Sequence, residues 1–163
     1  MSDHADATAD DDDESMVTPA MEAEIGRAGD PVQVTITREL VQRMAEALDE
    51  PELLAALDGD DATPEVPGWA LFVHFGRYRQ RTLPDAPARG LMAADELTLL
   101  APIRVGDELT VVPRVAGFNE RIGGRVGHAL FVDHEWTYTN QHGVVVATTR
   151  RSVAHFKQKH SGE

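Results

Sequence analysis

Proton transfer near neutral pH falls most readily to histidine, and this chain has seven. His4 lies in an acidic N-terminal stretch, where a lone histidine is solvated. His74 lies between Val73 and Phe75 in "ALFVHFGRY", where a buried structural role is expected and an acid/base role is the alternative. His128 and His134 share one face of a strand at i and i+6. At ~3.3 Å per residue they stand about 20 Å apart, too far to hold one metal ion. His142 falls in a turn, and His155 and His160 lie near the end of the chain without an evident role. The absence of cysteine excludes disulfides, thiolate metal sites and cysteine nucleophiles. No metal and no cofactor is expected. The acid-rich stretch "AEALDEPELL" (Ala45 to Leu54) carries four carboxylates and no histidine. It is either the remnant of a catalytic loop or the solvated end of a helix.

The elements that would position such residues follow from composition and periodicity. A chain of 163 residues that is 42% hydrophobic suffices for one packed domain. Its net charge of -13 is unevenly spread. Residues 1–65 hold 19 acids and 3 bases, whereas residues 66–163 hold 9 acids and 12 bases. An acidic leader on a near-neutral body accounts for this. Residues 1–20 are expected to be a disordered acidic tail and residues 21–163 a single domain. No dense basic and aromatic face appears, so nucleic acid is not an expected partner. No apolar run approaches the roughly 18 residues of a membrane span. The acidic start lacks the basic-then-apolar order of a signal peptide, so a cytoplasmic location is expected.

"VTITRELVQRMAEALDE" predicts a helix, with Thr37 as N-cap and Leu40, Val41, Met44, Ala45 and Leu48 as its apolar stripe. Pro51 opens a second, short helix carrying Leu53, Leu54 and Leu57. A longer, largely buried helix starts near Pro67 or Gly68, and its second half turns basic. From Gly90 onward the pattern becomes strands. "ELTVVPRVAGF" places Leu109, Val111, Pro113 and Val115 on one face, and "HALFVDHEWTYTN" does the same for Leu130, Val132, His134, Trp136 and Tyr138. "NERIGGR" and "QHG" read as connections. Short connections imply an antiparallel sheet. The expected class is α+β, a long antiparallel sheet wrapped around a central helix: the hot-dog architecture. An open sheet edge invites pairing, so a dimer is expected.

Four stretches occur in order: "VTITRELVQRMAEALDEPELL", "VPGWALFVHFGRY", "LLAPIRVGDELTVVPRVAGFNERIGG" and "LFVDHEWTYTNQHGVVVATTRR". Together they resemble the MaoC-like group of hot-dog proteins, and within it the N-terminal, fatty-acid-synthase-type dehydratase branch. The resemblance spans about residues 30 to 156. It implies reversible water addition to an enoyl thioester carried by coenzyme A or an acyl-carrier protein. Active members hold an Asp–His pair in a Gly-Asp-x-Asn-Pro-x-His loop, which activates the water. Backbone N–H groups at a helix start stabilise the thioester oxyanion. Asp49 is the candidate for that aspartate, but Leu48 stands in place of the glycine and Leu54 in place of the histidine. The dyad is therefore expected to be absent. The resemblance then implies a second hot-dog chain that carries it, or otherwise a homodimer.

Gly68, Trp69 and Phe72, at the start of the long helix, are the residues this resemblance sets beside the acyl channel. Ordinary core packing is the plainer reading. Arg77, Arg79, Arg81 and Arg89 form a basic patch suited to coenzyme A phosphates or an acidic carrier protein. A solvated helix end explains them equally. Some hot-dog thioesterases activate water with a lone carboxylate, and Asp95 or Glu96 could serve in that way. A polar strand face is the alternative. Three functions are thus open: a dyad-less subunit of an enoyl-thioester hydratase or dehydratase, a homodimeric acyl-CoA thioesterase, and a non-enzymatic acyl-thioester binding or scaffold protein.

Overall fold

The structure, a computed structural model, describes residues 14–60, 62–77, 83–123 and 127–156, with residues 73–77 as backbone only. A one-turn helix α1 (Pro19–Glu22) and a four-residue strand β1 (Val32–Thr35) precede the first long helix, α2 (Arg38–Leu48). Thr37 starts α2 as expected. Its backbone is extended and its hydroxyl accepts the Leu40 N–H at 3.3 Å, satisfying a donor that the helix itself leaves unpaired. Val41 and Ala45 turn into the core, whereas Leu48 at the end of the predicted stripe is exposed. α3 (Pro51–Asp58) follows and buries Leu53 and Leu57. Proline suits its first turn because no N–H is needed there.

The predicted central helix runs Gly68–Arg77, wound as a 3-10 helix. It directly follows β2 (Glu65–Val66), which pairs antiparallel with β4 (Ile103–Arg104). The main sheet contains β3 (Gly90–Leu99), β5 (Glu108–Ile122), β6 (His128–Thr139) and β7 (Val145–Phe156). Its order is β1-β5-β6-β7-β3, antiparallel throughout. β1 and β3 are therefore its edges among the described strands.

The strand alternation sets the core. Leu109, Val111 and Val115 of β5 and Leu130, Val132, Trp136 and Tyr138 of β6 are buried on one face, each contributing on the order of 2 kcal/mol through lost apolar exposure. Leu109, Val111, Trp136 and Tyr138 pack with Ala70 and Leu71 of the 3-10 helix and with α2 and α3. The Tyr138 hydroxyl meets Thr149 Oγ1 at 3.2 Å, so the buried oxygens satisfy each other. Two turns close the sheet. In the β6–β7 turn, Asn140 Oδ1 accepts the N–H groups of His142 and Val144 at 3.0 Å each. In the β4–β5 turn, buried Asp107 accepts the Arg104 N–H at 2.8 Å, and the Gln141 amide from the other turn at 3.2 Å.

Three expectations need correction. β1 was not expected; it is short and merges with the approach to α2. "NERI" is not a connection, because β5 continues to Ile122, paired with His128. Residues 14–20 are not a loose tail. Met16 and Met21 are buried with Val115, Leu130 and Val132 in a second, smaller cluster. Glu120 clasps the segment, accepting the Ser15 hydroxyl at 2.7 Å and the Met16 N–H at 2.6 Å. Among the described residues, no helix is long and apolar enough to cross a membrane.

Candidate functional site

The joint between α2 and α3 holds Asp49 and Leu54, the two positions that the resemblance sets against the Asp–His loop. Asp49 caps α2 in the left-handed conformation (φ 56°, ψ 54°), its N–H directed to the carbonyls of Ala45 and Glu46. Its side chain is exposed. Five residues on, Leu54 lies on α3 and packs against the main core. With the frame set on Pro51 instead, the position two residues on is Leu53, which is buried. Either alignment puts a leucine where the histidine would be. The other described histidines are engaged elsewhere. His128 meets Glu120 at 2.9 Å, His155 meets the Pro87 carbonyl at 2.8 Å, and His142 lies beside Gln141 at 3.3 Å. His74 lies within the 3-10 helix, and its side chain is outside the described residues.

The second part of the site is the start of the 3-10 helix. Gly68 is buried there against β3. A methyl group on it would stand 2.7 Å from Leu97 Cδ2 and 3.1 Å from Leu99 Cδ1. Two leucines of the edge strand thus close over the helix start, and any side chain at this position would have to displace their ends. Trp69 packs on the main core, and its indole N–H is buried without a hydrogen-bond partner among the described residues. Phe72 is 37% exposed. Gly68 and Trp69 therefore line an apolar wall shared with Leu97, a residue that the reading of the sequence did not single out. Its signal was available in β3, where Leu97 and Leu99 alternate onto the face that bears Asp95.

Asp95 is not a free carboxylate. It pairs in register with Arg151 of β7, whose Nε and Nη2 donate to its two oxygens at 2.7 and 2.8 Å. Glu96 faces Arg150 from the opposite side of the sheet. Next to Arg151 in register is His134, buried on β6 and 6.1 Å from the Trp136 ring. Burial pushes the His134 imidazole down to about 4, with His155 and Arg151 adding to the shift and Asp133 opposing it. His134 is thus neutral at neutral pH. Arg89 is exposed just before β3, and its carbonyl accepts the Phe156 N–H at 3.4 Å. Arg77 is described as backbone only, and Arg79 and Arg81 lie outside the described residues. Among the described residues, no three His, Asp or Glu side chains gather as metal ligands would.

Comparison with known proteins bears on this geometry. The family model for the FAS1-like dehydratase domain region matches residues 23–149. No curated protein matches. Among solved structures, a MaoC-like dehydratase from Rhodospirillum rubrum is 22% identical, with a TM-score of 0.60 over 83% of this chain and 94% of that one. The HadBC (3R-hydroxyacyl-ACP dehydratase) complex from Mycobacterium tuberculosis is 19% identical, with a TM-score of 0.56 over 80% and 96% of the two chains. The ChsH1-ChsH2 complex from the same organism is 10% identical, with a TM-score of 0.59 over 82% and 91%. The structures share the fold, and the family model covers most of the chain. This chain belongs to the FAS1-like dehydratase-domain family, and it shares its fold with the MaoC-like hot-dog proteins.

Proposed function

We propose that this chain is the substrate-shaping subunit of a heteromeric enoyl-thioester hydratase or dehydratase, acting on thioesters of coenzyme A or an acyl-carrier protein. A second hot-dog chain supplies the Asp–His dyad. One observation supports the reading: Leu54, five residues on from Asp49 where the resemblance would set the histidine, packs half-buried against the core. Hydration needs a group that takes a proton from water and returns it to the product. A leucine cannot, and Asp49 alone, exposed at a helix end, has no described histidine to share a water with.

What this chain contributes is shape and polarity. The start of the 3-10 helix at Gly68 supplies the backbone N–H groups that this family uses at the thioester oxygen. Leu97, Leu99 and Trp69 bound the acyl group beside it. Two of the matching structures are complexes of two named components, HadBC and ChsH1-ChsH2, which supports a paired assembly. The thioesterase reading loses support because Arg151 engages both oxygens of Asp95. Co-purification with a hot-dog chain bearing the Gly-Asp-x-Asn-Pro-x-His loop tests the proposal. A stable complex that hydrates crotonyl-coenzyme A supports it. Turnover that survives loss of the partner's dyad contradicts it.

A further inference from the structure

The inner face of the sheet is apolar row by row, and one row breaks the pattern. His134 of β6, Arg151 of β7 and Asp95 of β3 stand side by side in register across it. On one side of this row Trp136 belongs to the main core, and on the other Val132 belongs to the smaller cluster under Met16 and Met21. Arg151 and Asp95 satisfy each other through two hydrogen bonds. His134 has no such partner. It is 3% exposed, its ring lies 6.1 Å from that of Trp136, and it forms no hydrogen bond among the described residues.

A neutral imidazole, the form that burial imposes here at neutral pH, carries one donor and one acceptor. Burying such groups unpaired costs about 1–3 kcal/mol each, and native interiors seldom leave them so. A leucine at this position would escape that cost. The histidine also shares its face with the acyl wall. Leu97, which closes over Gly68, is two residues from Asp95 on β3. Two residues along a strand at ~3.3 Å each, and two strand spacings at ~4.8 Å, set His134 about 12 Å from Leu97 across the sheet. The charges beside it limit what it can receive. Arg151 and Asp95 cancel one another, so a carboxylate or an ammonium group brought to His134 would be buried without a counter-ion. A hydroxyl or carbonyl oxygen carries no such penalty.

We propose that His134 is a specificity subsite for an uncharged oxygen function, a hydroxyl or keto group, carried on the acyl chain well beyond the thioester. This rests on the reading of the chain as a substrate-shaping subunit and names its substrate class: oxygenated acyl thioesters rather than plain hydrocarbon ones. The oxygen group supplies the hydrogen bond that His134 lacks. An unsubstituted chain lying across the same face leaves the imidazole unpaired.

The test is calorimetric binding to the full chain and to its complex with a dyad-bearing hot-dog chain. The probes are decanoyl-coenzyme A and a series of decanoyl-coenzyme A derivatives, each with one hydroxyl placed between mid-chain and terminus. Wild type should bind one hydroxylated probe about three- to tenfold more tightly than the plain one. His134→Leu should abolish that preference, and His134→Gln, which keeps a donor and an acceptor, should retain part of it. A wild type indifferent to every hydroxyl position overturns the subsite, as does a preference that survives His134→Leu. Crotonyl-coenzyme A hydration by the same complex separates the two ideas. An active complex without a hydroxyl preference overturns the subsite alone, whereas an inactive complex that keeps the preference overturns the heteromeric reading alone.

Discussion

Arg151 holds Asp95 across the β3–β7 ladder with two parallel hydrogen bonds, from Nε at 2.7 Å and Nη2 at 2.8 Å. This two-pronged geometry is the strong form of an arginine–carboxylate pair. It fixes the carboxylate rather than leaving it to orient a water.

Asp95→Asn therefore separates a structural carboxylate from a catalytic one. The pair is partly solvated, so its loss should cost about 1 kcal/mol of stability. Thioester hydrolysis or hydration by the assembled complex should stay within about twofold of wild type, a change below 0.5 kcal/mol in the barrier. A loss of turnover by orders of magnitude, in a protein that still melts cooperatively, would return Asp95 to the active site.

His134 makes the domain acid-sensitive. Its folded value of about 4 lies below the ordinary 6.5, so the unfolded chain takes up the proton first. The associated stability is fully present above about pH 6.5, falls as the pH drops towards 4, and is then exhausted. The span corresponds to roughly 3 kcal/mol. Urea midpoints measured from pH 7 to pH 4 should show this loss, and His134→Leu should flatten the curve over that interval. A variant that keeps the full slope would place the titration elsewhere.

Glu120 anchors the N-terminal segment. Burial acts to raise its carboxyl, but hydrogen bonds from the Met16 N–H, Ser15 and His128, with the His128 charge, hold it below the ordinary carboxylate value. Removing residues 1–13 should leave the melting temperature unchanged. Removing residues 1–22 also deletes Met16 and Met21 from their cluster, and should lower it by several degrees for a cost of about 2 kcal/mol or more. Equal melting temperatures for the two truncations would show that the clasp contributes nothing.

That segment marks one limit of what the sequence disclosed. Thr37, the Val41–Ala45 stripe and Pro51 announced α2 and α3 because capping and helical spacing are local signals. The alternation from Leu130 to Tyr138 announced β6 for the same reason, and all five of its inward residues are buried. Met16 and Met21 sit beside seven acids in a stretch with no period of its own, and partners distant in sequence, Val115, Leu130, Val132 and the Glu120 clasp, order them. At the site, the absence of a histidine at Leu54 was visible from spacing within the family motif. The grip of Arg151 on Asp95 and the closure of Leu97 over Gly68 were not, because both depend on the register between β3 and its neighbours.

Gly68 tests the acyl wall. Gly68→Ala pushes a methyl group towards Leu97 Cδ2 at 2.7 Å, the mobile end of a side chain, so the fold should survive at a cost of about 1–3 kcal/mol. In the active complex the change should raise KM for long enoyl thioesters more than for crotonyl thioesters, since the displaced leucine narrows the space beside the helix start. Equal effects on all chain lengths would remove Gly68 from the acyl pocket.

What this chain does alone decides whether the dyad belongs to a partner. The measurement is the hydration rate of crotonyl-coenzyme A, and of a longer enoyl thioester, by the purified chain without any partner. With Leu54 packed against the core and Asp49 exposed at the end of α2, no turnover above the uncatalysed rate is expected. Adding a dyad-bearing hot-dog chain should establish activity, and Asp49→Asn in this chain should leave that activity intact. Hydration by the lone chain at ordinary enzyme rates, on the order of 1–1000 per second, would contradict the account, as would abolition of the complex's activity by Asp49→Asn without unfolding.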